Sequence, residues 1–174
     1  METKESYLKD LMGHVMQIIY MIFLGVIIAL FFGLGIDTFY PGPKEPLYPT
    51  ILQEKQYQSS PTIQTVEEKV VEKKFNQEMD QYNKDLKPYS RNVSIIAIVL
   101  SIVALILSLT VLIRWEVIAN GVMLGGVFTL GYSIIMGAQA DDPKFRFAII
   151  TVGVVIAFAL GYYKFILPNR ELKR

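Results

Sequence analysis

The chain has no cysteine, one histidine and one tryptophan among its 174 residues. These shortages remove whole chemistries. No disulfide can tie an exported segment, and neither a Cys/His nucleophile pair nor a zinc site of the usual ligands can be assembled. The single His14 stands where a long apolar run begins, a place for an interfacial anchor rather than a base. No Walker loop or dinucleotide fingerprint occurs, and the glycines of residues 121–126 lie in an apolar stretch that phosphate could not enter. Charge of either sign is also in short supply as an excess, since 17 Lys and Arg face 16 Asp and Glu, so nucleic acid is not an expected partner. No cofactor and no enzymatic reaction are expected.

What the chain has in abundance is apolar sequence, 52% of residues, gathered into four runs at 15–36, 93–113, 117–138 and 147–163 that contain no Asp, Glu, Lys or Arg. A hydrocarbon core about 30 Å thick takes roughly 20 helical residues to cross. A soluble bundle would need a wet face on each helix, and these runs provide none. The expected fold is an all-α integral membrane protein with four transmembrane helices. The fourth reaches 147–166 if Lys164 snorkels to the interface. Residues 1–14 and the basic 167–174 form the tails. Tyr40, Trp115, Tyr162 and Tyr163 sit where an aromatic belt belongs.

Four spans put both termini on one side. The opposite side receives residues 37–91, where eight basic residues are diluted among nine acidic ones, while Arg170, Lys173 and Arg174 crowd the C-terminus. Short basic flanks weigh most in orientation, so the termini are expected in the cytoplasm and residues 37–91 outside, and the missing cysteines suit a bacterial cytoplasmic membrane. The layout is similar to that of claudins and tetraspanins, but the extracellular cysteines of those families are absent and the similarity transfers no residue's role.

Helices in lipid associate through small and hydroxyl residues, because lipid tails are as apolar as leucine. Each span carries such a stripe: Gly25, Ala29 and Gly33 in the first; Ser94, Ala97, Ser101, Ala104 and Ser108 in the second; Gly121, Gly125, Thr129, Ser133 and Gly137 in the third; Gly153, Ala157 and Gly161 in the fourth. Steps of four favour close right-handed crossings, while the alternating threes and fours of the second span give a left-handed seam. Short links make the third helix the natural centre of the bundle.

Between the first two spans, residues 37–61 hold Pro41, Pro43, Pro46 and Pro49 within the run TFYPGPKEPLYPT. Such density blocks regular ladders and favours an extended polyproline path, a stiff strap over the bundle with Phe39, Tyr40, Leu47 and Tyr48 packing at the interface. Residues 62–86 follow as an amphipathic extramembrane helix, stopped by Lys87-Pro88 and with a break of phase or a bend near Val70 and Val71, whose apolar positions Val71, Phe75, Met79, Tyr82 and Leu86 serve either to dock a partner or to cap the chain's own bundle. Asp37, Asp141 and Asp142 fall on one side and are the only carboxylates placed to share a surface cation, although Asp-Asp-Pro before a span is also what helix capping selects. Two functional classes remain. One is an accessory or scaffolding subunit that binds a partner, or itself, through 62–86 or the third helix. The other is an oligomeric channel or carrier for a small uncharged solute.

Overall fold

The computed structural model describes residues 2–51 and 66–166, with side chains for 9–51 and 66–164. Among these residues the chain forms helices and connecting turns and no strand. The helices are α1 (Glu2–Phe39), α2 (Val66–Thr110), α3 (Glu116–Ala138) and α4 (Pro143–Gly161). A 3-10 turn at Leu112–Arg114 joins α2 to α3, and one π-helical turn, Tyr162–Ile166, prolongs α4. All four helices are long and apolar enough to cross a membrane.

Two boundaries differ from the expectation. α1 starts at Glu2 instead of near residue 15, so the N-terminal tail is helical. Residues 2–14 contain no proline and several strong helix formers, and adding residues to an existing helix costs far less than nucleating one.

The larger difference is in α2. Lys87-Pro88 does not stop a helix that a separate span then follows; one 45-residue helix runs through Pro88. An internal proline removes one backbone N–H and crowds the carbonyl four residues back, at about 3 kcal/mol. Packing overrides that cost, because Ser90, Val93, Ser94 and Ala97 are completely buried immediately beyond it. At 1.5 Å per residue α2 is about 67 Å long, more than twice the thickness of a hydrocarbon core. The expected helix start at 62–65, residues 52–61 of the expected loop and the tail 167–174 lie outside the described residues.

α3 lies at the centre, in contact with α1, α2 and α4. The polarity of the bundle is inverted relative to a water-soluble one. Ser94, Ser101, Ser108, Thr129 and Ser133 are buried, whereas Phe23, Phe31, Leu34, Val155 and Phe158 are each more than 60% exposed. Two small apolar clusters complete the interior, Ile36 with Val93 and Ala97, and Ile98 with Leu130 and Ile149.

Candidate interaction surfaces

The small residues of α3 divide between three neighbours. Toward α1, a Cβ built on Gly121 would lie 2.7 Å from Leu24, and one on Gly125 would lie 2.8 Å from Ile28 and 3.1 Å from the carbonyl oxygen of Gly25. Gly25 in turn receives Leu124, at 3.0 Å from such a Cβ. Leu24 and Ile28 advance by four residues as Gly121 and Gly125 do, in the same direction, as parallel helices require. The side chains fit into hollows that any larger residue would fill.

Toward α2 the seam is polar. Ser94 Oγ donates to the Ser133 carbonyl at 2.8 Å, and Ser133 Oγ returns a bond to the Ser94 carbonyl at 2.7 Å. Ser101 Oγ donates to the Gly126 carbonyl at 2.8 Å and Ser108 Oγ to the Ala119 carbonyl at 2.6 Å. Each step of seven along α2 is matched by a step of seven back along α3. Every pair is centred between Ile113 and Arg114, the middle of the turn, so the short link sets the register that the serines lock. A seven-residue repeat is the period of a left-handed seam. Thr129 bonds its own helix, donating to the Gly125 carbonyl. Ala97 and Ala104 are buried in the same seam.

Gly137 lies between Ser94 of α2 and Ile149 of α4, and Gly153 of α4 lies against Ile134. The rest of the expected stripes makes no such contact. A Cβ on Gly33 or Gly161 would meet nothing within 4 Å, and Ala157 is exposed. α4 touches α3 chiefly through its first half, so the lower part of its small-residue ridge faces outward. Ala29 and Gly33 line an apolar groove of about 420 Å³ between α1 and α3, with Val26, Leu34, Phe128 and Tyr132.

Beyond the apolar bundle, the strap lies along α2. The Tyr40 and Tyr89 rings stack at 5.5 Å, a Cβ on Gly42 would lie 3.0 Å from Tyr89 Cζ, and Tyr48 meets Phe75 edge-on at 5.2 Å. The fit is one of lengths. From Gly42 to Tyr48 an extended polyproline path covers about 19 Å, and from Tyr89 back to Phe75 the helix covers about 21 Å. Pro43, Pro46 and Pro49, which share one side of a three-residue repeat, are half-buried, and so are Val71, Phe75, Met79, Tyr82, Leu86 and Tyr89 along α2. The face expected to dock a partner thus meets the chain's own strap at Phe75, and the root of the strap stacks on Tyr89 just beyond that face. Phe39 and Leu47, the other two apolar residues of the strap, are about 90% exposed on the protein itself. Asn92 Nδ2 donates to the Tyr40 hydroxyl at 2.8 Å and fixes the root of the strap. Burial, then the neighbouring Tyr132, Asp37 and Tyr40, push the Tyr89 phenol above its usual range.

The three aspartates are not brought together as a cation site. Asp141 takes a bond from Lys87 Nζ at 2.8 Å, tying α2 to the α3–α4 turn, and Asp142 accepts from the Lys144 backbone N–H as the cap of α4, with Pro143 following. Asp37 stands near Tyr89, at the root of the strap. Among the described residues no three His, Cys, Asp or Glu side chains converge.

At the opposite end of the bundle the structure assembles a polar vestibule that the sequence did not announce. A cavity of about 420 Å³ is lined by Ser108, Ile113, Glu116, Asn120, Tyr163 and Lys164 among others. Lys164 Nζ donates to Asn120 Oδ1 at 2.7 Å. The π-helical turn carries Lys164, and such turns recur at functional sites because they re-aim side chains.

No family model, curated protein or solved structure matches the chain.

Proposed function

We propose that the chain is an integral membrane protein that acts as a non-catalytic accessory or scaffolding subunit, with α1 to α4 in the bilayer and the strapped half of α2 standing outside as a stalk that a partner binds. The observation that carries this reading is the unbroken course of α2 from Val66 to Thr110, with the strap bound along its outer half. A helix continuous with a span transmits position rigidly, which a stalk requires and a flexible loop denies. The inverted polarity of the bundle supports insertion, since large outward apolar side chains are at home in lipid. The sparse charge distribution favours cytoplasmic termini and an external stalk, in a bacterial cytoplasmic membrane.

The channel reading fares less well. Hydroxyls that could line a polar path, Ser94, Ser101, Ser108 and Ser133, are spent on closing α2 against α3.

The test is photo-crosslinking in native membranes from the exposed stalk positions Asn76 and Asn83, with the outward Ile95 and Val99 lower on the same helix as controls. A discrete protein adduct from the stalk alone is expected. Adducts only from the controls, or none, would remove the reading.

A further inference from the structure

We infer that the vestibule at the α2–α3 turn binds a zwitterion bearing a phosphate and a primary ammonium group, presented as the headgroup of a phosphatidylethanolamine-type lipid. This rests on the membrane reading above. Lys164 is half-buried and uses one of its three donors on Asn120 Oδ1, which holds the ammonium in place and leaves two N–H groups for an anion. Glu116 lines the same cavity, forms no ion pair with Lys164, and offers a carboxylate to a cation. One cavity therefore presents both charges, unneutralised by each other. Its volume of about 420 Å³ falls in the range of small-ligand sites.

Two further features select a lipid. Leu109, Ile113 and Met123 supply apolar wall beside the charged groups, as an amphiphile's first methylenes need. The exposed Trp115, adjacent to Glu116, sets the site at the headgroup level of a span that begins at Glu116. Tyr163 also lines the cavity and brings a phenol to its wall. A lipid with an anionic headgroup would leave Glu116 facing a negative charge, and choline would bring no N–H to its carboxylate. The π-helical turn explains how Lys164 comes to be there, since a regular helix would turn its side chain to a different angle.

The experiment is native mass spectrometry of the full chain, released from detergent after titration with phosphatidylethanolamine, phosphatidylglycerol or phosphatidylcholine. Ethanolamine lipid is expected to bind about tenfold more tightly than the other two, the ratio set by one charge-assisted hydrogen bond. Lys164→Met should weaken all three lipids by about tenfold or more, Lys164→Arg should largely restore them, and Glu116→Gln should erase the preference for ethanolamine while retaining the others. Equal binding of all three lipids by the wild type, or an unchanged preference in Glu116→Gln, overturns the inference. Competition by water-soluble phosphoethanolamine at matching affinity keeps the zwitterion but overturns its assignment to a lipid. Failure of the membrane reading registers separately, as a chain that stays monodisperse with no detergent at all.

Discussion

Replacing Gly125 by alanine adds one methyl group where α1 and α3 come closest. The new Cβ would lie 2.8 Å from Ile28 and 3.1 Å from the Gly25 carbonyl oxygen. The atoms met on Ile28 are Cβ and Cγ2, at the root of a β-branched side chain, and the carbonyl belongs to backbone, so neither can move away alone and the helices must separate. Overpacking of this kind costs about 1–3 kcal/mol, while alanine for glycine inside a helix returns about 0.8–1 kcal/mol. Gly131→Ala receives the same return with nothing within 4 Å of the added methyl. Subtracting one variant from the other cancels the backbone contribution and leaves about 1–3 kcal/mol for the contact alone. Reversible unfolding in mixed micelles by increasing SDS, followed by Trp115 fluorescence and circular dichroism, measures both. The account requires Gly125→Ala to unfold earlier than Gly131→Ala by that margin. Equal midpoints would refute the reasoning that Gly125 is a contact glycine.

Three further outcomes follow from other parts of the fold. Pro88→Ala restores a backbone N–H inside α2 and should raise stability by up to about 3 kcal/mol, read from the same SDS unfolding assay; destabilisation would show that the proline is no cost to this helix. Because folding raises the Tyr89 pKa, its contribution is intact below the free phenol's ordinary value of 10.0 and falls as pH climbs above it. Proteolytic nicking of the strap should therefore increase in that alkaline window, and Tyr89→Phe should blunt the increase. Asp141→Asn removes an exposed ion pair to Lys87 and should cost no more than about 1 kcal/mol.

Much of the bundle was legible in the sequence because lipid-compatible packing relies on a short list of residues. Ser94, Ser101 and Ser108 declared a seam by their spacing, and the glycines of α3 declared close approaches at Gly121 and Gly125. Spacing failed where a helix has no neighbour. Gly33, Ala157 and Gly161 keep the same period as the contact residues, but periodicity marks a face and cannot say whether anything lies against it. Pro88 misled for a different reason. Its local cost is real, and the burial of Val93 that helps outweigh it depends in part on residues distant in sequence, Ile36, Tyr132 and Met136 among them. The strap's pairing was half visible, as proline density gave its stiffness but not the helix it lies on. Lys164 and Asn120 meet across 44 positions through a change of helix type, for which sequence patterns carry no signal.

α2 itself offers the most direct test that the charge-free runs are threaded through hydrocarbon. Asn76 and Asn83 near one end and Ile95, Val99, Val103 and Ile106 near the other are all exposed on the protein surface. Protein burial therefore cannot shield any of them, and the chain brings no competing thiol. Single cysteines at these positions, treated with a charged maleimide in unsealed membranes, should react at 76 and 83 and stay unlabelled from 95 onward until the membrane is dissolved and the chain denatured. Even labelling along the whole helix would contradict the account.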